Sequence, residues 1–112
     1  MRAFSLLTFL LPFVAAKDHK QCNCMSWTKE TGWIHNEGLT HYVCFEKYPV
    51  NAHYDDKSKL CVASDGYVID GETWENDCKD SGITDGYYPF GTDDKPNFSE
   101  KIMKIGAATG DC

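Results

Sequence analysis

The sequence predicts a small α+β domain that is cross-linked by disulfide bonds. Three observations predict it: a secretory leader, six cysteines in 112 residues, and a mixture of helical and strand signals. The predicted elements are a strand at 22–27, a helix at 37–47, strands at 59–63 and 66–69, a helix at 70–81 and a last strand after 86. This is the split βαβ order, in which a small antiparallel sheet carries two helices on one face, so we expect a small α/β sandwich.

The leader is residues 1–16. Arg2 is followed by an apolar run at 3–14, and the small residues Ala15 and Ala16 end it, which is typical of a secretory signal peptide and its cleavage site. The apolar run is too short to span a membrane, and no second run of spanning length follows. We therefore expect one cysteine-rich domain, residues 17–112, that is secreted and extracellular.

All six cysteines lie in this predicted domain, and an even number in a short exported chain indicates three disulfide bonds. Because Cys22 and Cys24 are two residues apart, they point to one face of a strand and can join it to two other elements. The two cysteines on predicted helices could bond each other or this strand, so the pairing stays open. The cysteines are Cys22, Cys24, Cys44, Cys61, Cys78 and Cys112.

The helix predicted at 70–81 has the clearest local signals. Asp70 is a suitable N-cap, because its carboxylate can accept hydrogen bonds from free backbone N–H groups of the first turn. Trp74 and Cys78 are four residues apart and so face the same way. We expect Trp74 to fill a small core and Gly82 to end the helix.

The segment 39–48 fits either of two elements. Its apolar residues recur at spacings of three and four, Asn36 can cap a helix, and Pro49 can end one, so we favour a helix. Residues 40–45 are also rich in strand-forming side chains. If 39–46 is a strand, the domain becomes a mostly β, disulfide-rich fold.

The remaining segments are predicted from turn signals. Asp65-Gly66 lies between two apolar runs, which indicates a hairpin of strands 59–63 and 66–69, while 49–58 is a polar loop. Residues 98–105 fit a last strand or a short helix. We expect 106–111 to be flexible up to the terminal cysteine.

The charge of the predicted mature chain argues against some partners. Removal of Arg2 leaves 17 acidic residues against 10 lysines, a net charge of −7, and no arginine. Nucleic-acid and anionic-membrane binding depend on basic patches and arginine side chains. We therefore expect neither nucleic acid nor membrane as a partner, and we expect a monomer.

No residue pattern indicates catalysis or metal binding. The four histidines lack the spacing of a helical metal pair, and the adjacent acids Asp55-Asp56 and Asp93-Asp94 lie in predicted loops. We expect a protein that is not an enzyme and that holds no metal or cofactor. The histidines, interpreted as scattered surface residues, are His19, His35, His41 and His53.

Two further features concern the surface. Asn97-Phe98-Ser99 matches the N-glycosylation sequon. Tyr87, Tyr88 and Phe90 form an aromatic group between glycines, which suggests an exposed surface for a partner. The alternative is that these rings pack the last strand onto the sheet.

The cysteine pattern resembles that of small secreted effector proteins of plant-associated fungi. An early Cys-x-Cys is followed by a cysteine midway, by Leu60-Cys61, and by an Ile-x-Gly-x-x-Trp-x-x-x-Cys element at 69–78. Membership would imply a non-enzymatic, virulence-associated protein that binds a host protein to suppress or divert plant defence. Some such effectors resemble the killer-toxin KP6 fold, a small α/β sandwich, which agrees with the predicted element order.

A local resemblance gives a second expectation. Residues 67–84 are similar to a chitin-binding LysM repeat, with Gly71-Glu72-Thr73 and Gly82-Ile83-Thr84 near the expected places. This resemblance implies a carbohydrate-binding secreted protein. The third expectation, from the KP6 likeness, is a killer-toxin-like antimicrobial protein.

Overall fold

Short strands and two helices make up residues 18–112, the part of the chain that the computed structural model describes. This is the disulfide-rich α+β class that the sequence predicts, and the predicted leader lies outside the described residues. The helices are α1 (Glu37–Lys47) and α2 (Gly71–Lys79), and α2 continues into a π-helical turn at Asp80–Thr84. The strands are β1 (Asp18–His19), β2 (Gln21–Thr28), β3 (Gly32–His35), β4 (Ala52–Asp55), β5 (Leu60–Ala63), β6 (Ile69–Asp70) and β7 (Ala108–Asp111).

Strand β2 organises the sheet, because it pairs with three other strands, all antiparallel. Its first two residues pair with β5, residues 23–26 pair with β7, and its last four residues pair with β3. Cys22, Cys24 and Ser26 alternate along it and are all buried, as the two-residue period of a strand requires. Strand β4 pairs with the other side of the β5 segment, and β1 and β6 form a separate two-stranded sheet.

Helix α1 confirms the helical interpretation of the ambiguous segment and excludes the strand alternative. The side chain of Asn36 caps the helix by accepting a hydrogen bond from the amide of Leu39 at 2.9 Å. Leu39 and Val43 are fully buried. Thr40 is also fully buried, and its hydroxyl is satisfied because it accepts from the amide of Cys24 at 2.9 Å. Strand-forming side chains on one helical face therefore fill the core.

Helix α2 begins as predicted and ends differently. The Asp70 carboxylate accepts from the amide of Thr73 at 3.0 Å, and Trp74 is fully buried with its indole N–H donating to a backbone carbonyl of β2. The helical path continues through Gly82, so the prediction of a stop there is wrong. The glycine with positive φ is Gly86 (φ 88°), which follows the π-helical turn and fits the left-handed position after a helix.

The predicted hairpin around Asp65-Gly66 is also wrong, although the turn itself forms. The amide of Tyr67 donates to the carbonyl of Ser64 at 2.9 Å, which closes the turn. The flanking segments do not pair with each other, because β5 pairs with β2 and β4 while β6 pairs with β1. The true hairpin joins β4 to β5, and β4 lies in the segment that was predicted to be a polar loop.

The C-terminal prediction needs a similar correction. The last strand is β7, in the segment predicted to be flexible, and it pairs with the middle of β2. Residues 98–105, the predicted last strand or short helix, have no regular element apart from a bridge between Met103 and Tyr87.

Three disulfide bonds join the elements, and the described residues contain no free cysteine. They link β2 to the C-terminus, β2 to α2, and α1 to β5. The Cys-x-Cys of β2 therefore does pin this strand to two other elements, whereas the cysteine of α1 bonds neither α2 nor β2. Each bond typically contributes about 2–4 kcal/mol to stability. The pairs are Cys22–Cys112, Cys24–Cys78 and Cys44–Cys61.

Within residues 18–112, neither helix has the length and apolar character that crossing a membrane requires.

Candidate functional site

The predicted aromatic surface is partly inside the protein. Tyr87 is only 6% exposed, so the prediction that it is an exposed contact residue is wrong. Its hydroxyl accepts from the side-chain amide of Asn36 at 3.3 Å, and its ring lies at a tilt to that of Tyr42. Tyr87 therefore fixes the segment after α2 to the beginning of α1.

Tyr88 and Phe90 are half-buried. Tyr88 packs edge-on against Phe98, with 5.0 Å between the ring centroids. Phe90 stacks on His41 and meets Phe45 edge-on, so it also covers α1. Tyr88 also lies at a tilt to Tyr42 of α1, with 6.3 Å between the ring centroids. Both rings thus contact helix α1, whereas the alternative prediction placed them against the sheet.

The sequon lies in the loop that follows these rings. The Asn97 carboxamide oxygen accepts from both the amide and the hydroxyl of Ser99, at 3.1 and 2.6 Å. The backbone amide of Asn97 donates to the carbonyl of Pro89 at 2.8 Å. Asn97 and Ser99 are therefore in direct contact, and glycosylation of Asn97 stays a prediction.

A cavity of about 330 Å³ opens between α1 and strand β4. This volume is at the lower end of the range of roughly 300–1,000 Å³ for small-molecule sites. Helix α1 supplies side chains one turn apart, β4 supplies the facing wall, and two loops supply acidic side chains. Its chemically informative lining residues are His41, Phe45, Tyr48, Tyr54, Asp56 and Asp94.

His41 is the central side chain of this site. Its imidazole lies between two rings, with centroid distances of 4.0 Å to Tyr54 and 3.4 Å to Phe90, and both pairs are close to parallel. Burial lowers the pKa of His41 below its ordinary value of 6.5, and the charges of Asp94 and Asp56 oppose this shift only in part. The neutral form of the His41 imidazole therefore predominates at pH 7.

The two acids sit on separate loops. Asp94 Oδ1 lies 3.7 Å from His41 Nε2, and Asp94 itself has a positive φ of 60°. Asp56 lies in the loop that joins β4 to β5. Two carboxylates that lie far apart in the sequence thus line the same cavity.

The two tyrosines have different surroundings. The Tyr48 hydroxyl donates to Asp77 Oδ2 at 2.8 Å, and burial together with this bond raises the pKa of Tyr48. Burial also raises the pKa of Tyr54 to about 12. The buried hydroxyl of Tyr54 has no hydrogen-bond partner among the described residues. Both phenols stay protonated at physiological pH.

Sequence reasoning missed this site. It interpreted His41 as a scattered surface residue, whereas the His41 side chain is only 17% exposed. Its ring partner Phe90 and its acidic neighbour Asp94 lie far away along the chain, so no local spacing could have indicated the cluster. In the described part of the chain, no group of three or more His, Cys, Asp or Glu side chains is placed to hold a metal ion.

A second candidate surface lies on the hairpin of β2 and β3. Trp27 and Trp33 are directly opposite each other in the register and are 44% and 48% exposed. Residues directly opposite in an antiparallel pair project to the same face, so the two indoles form one patch, which we call the tryptophan pair. Ile34 is 45% exposed and projects to the other face.

The surroundings of the tryptophan pair are mixed, because the turn of the same hairpin carries the exposed charged residues Lys29 and Glu30. Met25 and His35 are also opposite each other and continue the same face. The Asn23 side-chain amide donates to His35 Nδ1 at 2.8 Å. The turn is held by Thr28, whose hydroxyl accepts from the amide of Thr31 at 3.2 Å. The hairpin thus presents a structured aromatic face.

Comparison of this chain with protein-family models, with curated proteins and with solved structures finds no match.

Proposed function

We propose that the protein is a secreted effector of a plant-associated fungus, which acts without catalysis by binding a host protein at the host interface. The observation that carries the proposal is the tryptophan pair, Trp27 and Trp33, which is half exposed on a hairpin of a cross-linked domain. Tryptophan dominates many protein–protein interfaces, because its ring buries a large apolar area in a single contact. Because the two indoles are about half exposed, a partner could still cover the exposed part of their apolar surface.

Export is supported by two features. Residues 1–16 match the sequence pattern of a secretory signal peptide, and three disulfide bonds are compatible with an oxidising compartment. The proposal extends to a KP6-like fold, which the combination of two helices, antiparallel strands and disulfides supports at the level of fold class.

The proposed contact surface moves from the predicted aromatic group to the hairpin. Tyr87 is unsuitable because it is buried against α1. The tryptophan pair lies instead on a strand whose opposite face holds the buried Cys24 and Ser26, so the core fixes its orientation. A rigid aromatic patch loses little conformational entropy when a partner covers it.

A carbohydrate-binding function is the second candidate, and one observation favours it. The face around the tryptophan pair carries the neutral hydrogen-bonding side chain of Asn23 beside His35. Flat rings beside neutral hydrogen-bonding groups suit sugar rings as well as proteins. The experiment therefore includes a chitin oligomer.

The test compares the oxidised wild-type protein with Trp33→Thr and with Tyr67→Thr. Threonine keeps a strand-forming side chain at position 33 and removes the ring. Tyr67 is a matched control, since it is 41% exposed and its carbonyl binds Lys20, just before the opposite end of β2. Each immobilised protein is incubated with host extract, and any retained protein is purified and titrated against all three by calorimetry.

We expect a retained host protein whose affinity falls at least tenfold with Trp33→Thr and is unchanged with Tyr67→Thr. Retention that does not distinguish Trp33→Thr from the wild type contradicts the proposal. The carbohydrate-binding function replaces the proposal if no host protein is retained and a chitin hexamer gives a heat of binding that Trp33→Thr abolishes.

A further inference from the structure

The cavity between α1 and β4 has aromatic walls and a negative rim. Phe45 projects from α1, Tyr48 follows directly as the C-cap of that helix, and Tyr54 stands on the facing strand. Asp56 and Asp94 supply two carboxylates. Among the described residues that line it there is no lysine or arginine, and the second imidazole of the lining, that of His53, lies with its Nδ1 3.3 Å from the Ser64 hydroxyl oxygen.

The neighbouring cationic groups do not neutralise this rim. Lys59 is the basic side chain whose charge lowers the pKa of His41, and its ammonium group is already paired with Glu37 at 3.4 Å. His41 itself lies flat between Tyr54 and Phe90, so its ring edge, and not a free positive charge, faces the site. An anionic ligand would therefore meet repulsion from both acids.

A cation has two favourable interactions in such a cavity. The rings of Phe45, Tyr48 and Tyr54 line the cavity, where His41 covers one face of Tyr54, and aromatic rings attract positive charge through their quadrupoles. The carboxylates of Asp56 and Asp94 add Coulomb attraction at the rim. An alkylated ammonium group suits these walls better than a primary amine, because it needs fewer hydrogen-bond acceptors.

We infer that this cavity binds a small organic cation with an alkylated ammonium group. This ligand site goes beyond the proposed function, because it lies on α1 and β4 and does not involve the tryptophan pair. The acids and rings come from three separate segments that only the fold brings together.

The experiment uses choline as the probe and 3,3-dimethylbutan-1-ol as its uncharged isostere. Both are titrated into the oxidised protein of residues 17–112 at constant ionic strength, and amide chemical shifts are followed by NMR. We expect choline to bind at least tenfold more tightly than the isostere. We also expect the shifted amides to be those of the cavity, including Ala52 and His53.

Two variants locate the site. Asp94→Asn removes one charge and keeps a residue that tolerates the positive φ of that position. Phe45→Leu removes a ring on the partly exposed side of α1 and keeps a good helix former. We expect each to weaken choline binding about threefold or more. Asp65→Asn removes a carboxylate from an exposed turn outside the cavity and should leave the affinity unchanged.

Several results would overturn the inference. Equal affinity for choline and its isostere would mean that the cavity recognises apolar volume and not charge. No binding of choline would exclude the site outright, and so would an affinity that Asp94→Asn and Phe45→Leu both leave at the wild-type value. The circular dichroism spectrum of each variant establishes that it is folded before binding is compared.

Discussion

Replacement of Gly110 by alanine tests how closely helix α2 packs on strand β7. A Cβ at position 110 would lie 2.6 Å from Cδ1 of Trp74 and 2.8 Å from Cα of Glu75. The ring of Trp74 cannot move away freely, because it is fully buried and its N–H donates to the carbonyl of Asn23 at 2.8 Å. The second contact is with helix backbone, so relief requires α2 and β7 to separate.

The expected cost follows from these distances. Overpacking of a filled core typically costs about 1–3 kcal/mol, and contact with backbone places Gly110→Ala toward the upper part of that range. The smaller entropy of the unfolded alanine chain offsets roughly 0.4–1 kcal/mol. A net loss of about 2 kcal/mol lowers the Tm of a domain of this size by roughly 8–16 °C.

The assay is thermal and urea unfolding of the oxidised protein, followed by circular dichroism. Gly106→Ala is the matched control, since a Cβ there meets no atom within 4 Å and Gly106 has no positive φ. We expect this control to match or slightly exceed the wild-type stability. If the free energies of unfolding of Gly110→Ala and Gly106→Ala agree within about 0.5 kcal/mol, which is roughly the error of such measurements, the close packing is refuted.

Three further predictions concern a cap, a proton and a disulfide bond. Asp70→Ala removes the carboxylate that accepts from the amide of Thr73, and it should lower the free energy of unfolding by about 1 kcal/mol in urea titrations. Burial holds the pKa of His41 in the folded protein below 6.5, so the unfolded chain takes up a proton at a higher pH than the folded chain does. The contribution of His41 to the free energy of unfolding is therefore fully present above pH 6.5 and is lost as the pH falls toward the pKa of the folded state. Unfolding curves at pH 7.5 and 5 should show this loss in the wild type and a smaller one in His41→Phe. Loss of the Cys24–Cys78 bond, which closes a separation of 54 residues, should cost roughly 4 kcal/mol in a double alanine variant, as measured by urea unfolding.

The helix starts could be predicted because their signals are local. Asn36 and Asp70 each accept a hydrogen bond from the amide three residues later, and this needs no information from the rest of the chain. The inward face of α2 was also predictable, since Trp74 and Cys78 share it by helical spacing alone. Both side chains are fully buried.

The strand pairing could not be predicted in the same way. Asp65-Gly66 does form a turn, but a turn does not decide which strands lie beside it. The segment before it pairs with β2 and β4, and the segment after it pairs with β1. Such pairings are set by long-range packing and by the Cys44–Cys61 bond, neither of which leaves a local signal.

At the end of α2, long-range packing again overrides a local sequence signal. Glycine is the residue type that most often ends a helix, but Gly82 lies within the helical path. Its carbonyl accepts a hydrogen bond from the amide of Ile105 at 2.8 Å. A Cβ at this position would lie 3.1 Å from side chains of Ile105 and Leu39. Gly82 is therefore needed for close packing. The residue with the left-handed backbone conformation that follows the helix is Gly86.

The cavity and the tryptophan pair depend on different cross-links. Tyr54 stands directly opposite Cys61 in the β4–β5 register, and Cys61 is bonded to Cys44 on α1, three residues after His41. This bond therefore sets the separation of the two cavity walls. The hairpin that carries the tryptophan pair is an extension of β2, which is fixed by the other two bonds. Because each surface has its own covalent support, a change that loosens the cavity should leave the arrangement of the tryptophan pair on the hairpin unchanged.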